Sequence, residues 1–204
     1  MKADTDYAKR ELLIKAAKEE FMEKGYNKAS LRNICAKAGM TTGALYFFFE
    51  NKEDLYEEIV GGPRKELAEL IKRHMEEDKE SANNVTVFDD MFLDHSEEAD
   101  MFVECIYKNY DSFILMLSKG KEGELEKWTD YFVKLIEKTS TDMMMEIPTF
   151  KADPFMTHWV SHTIVDSFIH VMLHESKEAE AKKQIRKILN FIVKGWASVV
   201  LNDK

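Results

Sequence analysis

The sequence predicts an all-α fold, and three observations carry that prediction. Apolar residues recur at three- and four-residue intervals along the chain, whereas few runs alternate with period two. Only three prolines interrupt the 204 residues. Residues 30–52, SLRNICAKAGMTTGALYFFFENK, read as two short helices joined by a glycine turn, with another helix starting directly after them. The expected architecture is an N-terminal helix-turn-helix head over residues 1–52 and a helical body over 53–204.

The first helix is expected over about residues 6–24, with Leu13, Ala16, Ala17 and Phe21 on one face and Gly25-Tyr26 closing it. Ser30 is a good N-cap, because a hydroxyl can accept from an orphan backbone N–H. Leu31, Ile34, Cys35 and Ala38 follow at i, i+3, i+4 and i+7 and make one apolar stripe. Gly39 stands where the chain needs a positive φ. Thr41 can cap the next helix, Thr42–Phe48, and Asn51 with Asp54 resembles a capping pair for the one after. That fourth helix starts at Lys52 and carries Leu55, Ile59 and Val60 on one side. Gly61-Gly62-Pro63 should interrupt it, since proline lacks a donor and disfavours helix in the residue before it. Residues 52–62 are therefore either a hinge between head and body or a kink in one long helix.

Helical period resumes at Leu67, Leu70, Ile71 and Met75, and the polar residues 77–84 suit a loop. Further helices are expected over about 85–108, irregular near His95-Ser96, and over 111–117 and 124–145. Leu125, Trp128, Phe132, Leu135 and Ile136 would form the inner face of the last of these. Pro148 and Pro154 punctuate a loop before two final helices, 155–175 and 179–201. Those two are apolar over more than one stripe, so each must bury two faces. A four-helix interface with the same pair from a second copy would do so; a larger monomeric core is the alternative.

The net charge is −9, yet residues 1–52 carry +3 and residues 53–204 carry −12. A basic head on an acidic body fits a nucleic-acid reader with a separate regulatory part. Cys35 and Cys105 form no C-x-x-C pair, which argues against a disulfide scaffold or zinc finger. No apolar run approaches the ~18 residues of a membrane span, and no signal-like apolar stretch opens the chain, so the cytoplasm is expected and a membrane is not. No ordered nucleophile, base and orienting group is visible, so no enzyme activity and no cofactor is expected.

The segment FMEKGYNKASLRNICAKAGMTTGALYFFFENKEDLYEEI strongly resembles the TetR family of transcriptional regulators, through EKGY, G-x-x-x-GALY and F-x-NKEDL. The similarity covers about residues 7–60. It implies an all-α homodimer that binds double-stranded DNA through its heads, and a body that binds a small-molecule inducer and dimerises through its last two helices. In the family pattern Thr42–Phe48 lies in the major groove. Thr41, Thr42 and Gly43 would then meet a phosphate at the helix N-terminus. Tyr46 would place its phenol on phosphate, and Lys52 would reach the same backbone. Ser30 and Arg32 would add contacts from the preceding helix, and Lys2, Lys9 and Arg10 form a candidate basic arm. Leu45, Phe49, Ile34 and Phe21 are core.

One departure stands out. Where the pattern has a polar side chain at one or both positions, this chain has Phe47 and Phe48. Phenylalanine cannot hydrogen-bond a base edge, although it packs on a thymine methyl. Direct readout should therefore be weak, with more dependence on phosphate contacts, thymine methyls and DNA shape. The alternative is that one of the two rings is core. Affinity should fall steeply with salt, with a log–log slope of roughly −0.9 per neutralised phosphate.

In the body, the resemblance implies an inducer pocket, with Phe92, Cys105, Tyr110, Trp128 and Trp159 as its candidate lining and a small apolar or aromatic molecule as its ligand. His158, His162, Asp166, His170 and His174 recur every fourth residue. A pair at i, i+4 can share a metal, but successive members drift by about 40° around the helix, so all five cannot face one ion. A polar seam explains them without metal, and no metal site is assigned. The expected function is a ligand-responsive dimeric regulator, most simply a repressor released from a palindromic operator by its inducer. The competing reading is a helical small-molecule or metal-binding protein whose DNA head is degenerate.

Overall fold

The computed structural model describes residues 2–82, 94–144 and 153–202, and over these the chain is all-α. Its helices are α1 (Lys2–Lys28), α2 (Leu31–Lys37), α3 (Thr42–Phe48), α4 (Lys52–Ala82), α5 (Ser96–Lys108), α6 (Tyr110–Lys119), α7 (Glu124–Met144), α8 (Pro154–His174) and α9 (Glu178–Asn202). By packing they form two compact units. One comprises Met1–Lys65 with Asn109–Leu125, the other Glu66–Lys108 with Glu126–Lys204.

In the first unit α1 packs on α2 and α6. Leu13, Ala16, Ala17 and Phe21 are all buried, as their spacing predicts. Gly25 breaks the helical path with φ 74° and ψ 160°, a region open to glycine. Ile34 and Cys35 from α2, Leu45 from α3, and Leu55, Tyr56, Ile59 and Val60 from α4 close the core. Phe21 and Tyr26 both meet the Tyr56 ring edge-on, at centroid separations of 5.5 and 4.9 Å.

Gly61-Gly62-Pro63 does not stop α4, which continues to Ala82 with Pro63 inside it. The proline forfeits one backbone hydrogen bond. Against that, the helix has apolar residues to bury on both sides of it: Ile59 and Val60 before, and Leu67, Ala68 and Ile71 after. The boundary between the two units falls just beyond, between Lys65 and Glu66.

The second unit centres on α5, α8 and α9, where Ala99, Val103, Val171, Ala181, Ile185 and Leu189 form one buried cluster. Tyr107 closes one end by donating its hydroxyl to the Glu175 carbonyl. Asp153 caps α8, its carboxylate accepting from the backbone N–H groups of Phe155 and Met156. One expected inner residue, Leu125, is 38% exposed, and on α9 Phe191 is 81% exposed. At the start of α7 it is Glu124 that is buried, one position before Leu125. No helix among the described residues is long and apolar enough to cross a membrane.

Candidate nucleic-acid interface

The turn between α2 and α3 is specified locally. The Gly39 N–H donates to the Ala36 carbonyl (3.2 Å) and the Met40 N–H to the Cys35 carbonyl (2.8 Å). This is a Schellman closure, and it needs a residue at positive φ; Gly39 has φ 68°. Two residues later Thr41 adopts an extended backbone and its hydroxyl oxygen accepts from the Ala44 N–H at 3.2 Å. The hydroxyl proton remains available to an outside acceptor.

Leu45 is buried and the flanking Phe49 nearly so, which pins α3 to the head by one side. The opposite side carries Thr42, Gly43, Tyr46 and Phe47, all exposed. Tyr46 is 58% exposed, so it is not a core residue. The adjacent phenylalanines divide their roles. Phe47 is 73% exposed, whereas Phe48 is half-buried and meets it edge-on at 4.9 Å and 88°. A Cβ on Gly43 would find only the Thr41 hydroxyl, 3.9 Å away. Nothing inside the chain requires a glycine there.

Ser30 occupies the N-cap position of α2, but its side chain makes no cap hydrogen bond. Its backbone instead bonds to the Glu20 carboxylate, which also takes Asn33 Nδ2 at 3.1 Å and Lys37 Nζ at 2.9 Å. Glu20 is only 1% exposed, and the Lys37 ammonium holds its carboxyl below the usual carboxylate range. This buried network ties α2 to α1. Arg32, by contrast, is exposed and makes no ion pair among the described residues.

Lys52, at the opening of α4, is bonded within the head. Its ammonium donates to the carbonyls of Tyr26 (2.8 Å), Ala29 (3.3 Å) and Asn27 (3.4 Å), and sits 4.6 Å from the Tyr26 ring centroid. All three N–H donors are spent on the α1–α2 turn. Arg10 is likewise engaged, with Glu58 at 2.6 Å and the Phe49 ring beneath its guanidinium at 5.3 Å. The α4 N-terminus is capped as its sequence suggests. The Asp54 N–H donates to Asn51 Oδ1 (2.9 Å), and Asp54 Oδ2 accepts from the Glu50 N–H (3.0 Å).

Sequence reasoning missed the pairing of Tyr56 with Glu124. The Tyr56 hydroxyl is buried and donates to Glu124 Oε2 at 2.5 Å, and the same oxygen accepts from the Lys121 N–H at 2.9 Å. Burial pushes the phenol far above its ordinary range. Tyr56 reads only as one more apolar helix position, and nothing local marks a partner 68 residues away.

The five candidate inducer residues are dispersed. Phe92 lies outside the described residues. Tyr110 opens α6 in the first unit, while Cys105, Trp128 and Trp159 belong to the second. Cys105 is buried, with its thiol pushed up to about 11. Trp128 packs edge-on against Tyr131 at 5.6 Å, and Trp159 is largely exposed on α8. An open depression along α7, lined by Lys134, Glu137, Lys138, Thr141 and Asp142, includes none of the five. Three of the four histidine rings of α8 have a hydrogen-bond partner. His158 bonds Glu137 (3.1 Å), His162 bonds Asp166 (3.1 Å), and His174 bonds the His170 carbonyl (2.7 Å). Among the described residues no three His, Cys, Asp or Glu side chains converge as metal ligands.

Residues 13–59 match the family described as "Bacterial regulatory proteins, tetR family". The head segment of this chain is thus similar to the DNA-binding segment of that family. The matched TetR segment runs from Leu13 in α1 to Ile59 in α4 and so contains the capped glycine turn and the whole of α3. Among curated relatives, the HTH-type transcriptional repressor BepR of Brucella suis biovar 1 (strain 1330) is 40% identical over 62 residues, 30% of each chain. That match spans about a third of the relative's length. Over nearly the whole chain the TetR fold is matched by solved structures. A transcriptional regulator from Aquifex aeolicus VF5 is 25% identical, covering 90% of this chain and 99% of its own, with TM-score 0.59. NalD, the secondary repressor of the MexAB-OprM multidrug efflux pump in Pseudomonas aeruginosa, is 18% identical, covering 94% and 97%, with TM-score 0.65.

Proposed function

We propose that this chain is a cytoplasmic, dimeric, DNA-binding transcriptional repressor, released from a palindromic operator when a small apolar or aromatic inducer binds its body. The observation that carries the reading is α3. One face is anchored by Leu45, while Thr42, Gly43, Tyr46 and Phe47 stand exposed on a turn that the sequence builds at three successive points, Gly39, Thr41 and the Asn51–Asp54 cap. Residues 1–52 are assigned to DNA binding and 53–204 to ligand binding and dimerisation. Thr41, Thr42 and Tyr46 offer hydroxyls to phosphate, Gly43 admits close approach of the backbone, and Arg32 and Ser30 add contacts from α2. Lys52 acts through the α1–α2 turn as a positioning residue.

Dimerisation is supported by large apolar side chains left facing outward on the last two helices, Phe155, Trp159 and Leu173 on α8 and Phe191 on α9. Two-fold symmetry then requires half-sites about one helical turn apart, or a multiple of it. Inducer binding to one body conformation and DNA binding to another are linked reciprocally.

The test is selection of a preferred operator from random duplexes by the full chain, followed by a screen for compounds that release it. A palindrome bound by two copies, with affinity that falls steeply with salt, is the expected result. Indifference to duplex DNA even at very low salt would overturn the proposal. An operator affinity unchanged by every compound that binds the body would overturn its inducer part. An obligate monomer by sedimentation would remove dimerisation.

A further inference from the structure

We infer that Phe47 is the specificity-determining residue of the head, and that it reads a thymine through the 5-methyl group in each operator half-site. The inference rests on the DNA-binding reading above and adds to it which side chain discriminates and which base it selects. Three observations meet at this residue. The α3 sequence, TGALYFF, contains no Arg, Lys, Asn, Gln, Asp or Glu, and so none of the side chains that make bidentate hydrogen bonds to a purine or accept from cytosine. Of its outward residues, Thr42 and Tyr46 have one hydroxyl each and Gly43 has none. Phe47 is the largest apolar surface on that face, 73% exposed.

An exposed phenyl ring in water is unfavourable, and here it has one aromatic neighbour. The half-buried Phe48 packs against it edge-to-face at 4.9 Å. Its position near the C-terminal end of α3, one residue after Tyr46, places it on the same outward side as Gly43, four residues earlier. In the major groove the thymine methyl is the one apolar feature that distinguishes the four base pairs. A ring that can neither donate nor accept discriminates by covering that methyl, and gains nothing from cytosine, which lacks it.

The experiment uses the full chain and the operator selected from random duplexes. Each half-site thymine is replaced in turn by deoxyuridine, which removes the methyl and leaves base pairing intact. Wild-type affinity should drop at one thymine per half-site, about fourfold for each methyl at ~0.8 kcal/mol per buried carbon. Phe47→Ala should bind the thymine and deoxyuridine operators equally, and Phe47→Tyr should retain the difference. Because the modification is in the DNA, the first arm needs no variant to fold. An operator bound tightly with no methyl-sensitive position, or Phe47→Ala with an undiminished thymine preference, overturns the inference and leaves DNA binding standing. Failure to select or bind any operator overturns both.

Discussion

The Tyr56 hydroxyl donates to Glu124 Oε2 at 2.5 Å, joining the first turns of α4 to the start of α7 inside the first compact unit. The corner beside it is crowded. A Cβ on Gly120 would lie 2.2 Å from that carboxylate oxygen, 2.7 Å from the phenol oxygen and 2.8 Å from the Met116 carbonyl. Gly120→Ala must displace backbone as well as side chain, and should destabilise by about 1–3 kcal/mol or more. Tyr56→Phe leaves a buried carboxyl short of a donor and should cost about 1–3 kcal/mol. Thermal melts should fall by several degrees for each, at roughly 2–4 °C per kcal/mol in a chain of this size. The phenol also sets an alkaline limb. Its folded pKa is raised, so its contribution is complete below about pH 10, where an unfolded tyrosine begins to ionise, and shrinks above it. Tyr56→Phe should flatten stability against pH in that range.

Glu20 sets an acid limb in the opposite sense. Its folded carboxyl is held below the ordinary range by Lys37, so its contribution is complete above about pH 4.3 and is lost as pH falls through the folded value. Glu20→Gln should remove about 2 kcal/mol at neutral pH, as expected for hydrogen bonds to a charged group. Urea melts between pH 3 and pH 7 should show a shallower dependence for the variant. An unchanged slope would mean that the network around Asn33 and Lys37 does not hold its geometry in solution.

Gly43→Ala separates folding from recognition. The position has room for a methyl, and alanine is about 1 kcal/mol better than glycine inside a helix. The variant should melt at or above the wild-type temperature. Its operator affinity should nonetheless fall at least tenfold, because the methyl stands between α3 and the DNA. A fully active Gly43→Ala would place the groove contact elsewhere.

Lys52→Met tests strut against phosphate contact. If the ammonium serves the Tyr26, Asn27 and Ala29 carbonyls, the variant should melt lower by the equivalent of about 1–3 kcal/mol. Its salt dependence should stay that of the wild type. Loss of a phosphate contact would instead make the log–log slope shallower by about 0.9 per subunit.

Much of the head was legible because its signals are local. Gly39, Thr41 and the Asn51–Asp54 pair each act within five residues, and each appears in the structure with the hydrogen bond its chemistry suggests. Less legible are side chains whose partners lie at a distance. Lys52 and Arg10 look like free cations in a line of sequence, yet each finds partners from another helix. Glu124 and Leu125 differ by one position, and the acid that turns inward meets the distant Tyr56 hydroxyl. At Pro63 the sequence leaves a hinge and a long helix with a proline inside it equally open, and α4 is the long helix. The candidate inducer residues are soft and large, properties that core residues share, so spacing alone does not separate a pocket lining from a core.

Both cysteines are buried in helices, Cys35 in α2 and Cys105 in α5, and burial raises both thiols, the second to about 11. At neutral pH neither is a thiolate, so peroxide and alkylating reagents meet an inert sulfhydryl until the surrounding helix opens. The chain thus carries two native stopwatches, one near the recognition turn and one in the body. Their labelling rates, with and without operator or inducer, would time the breathing of each half independently.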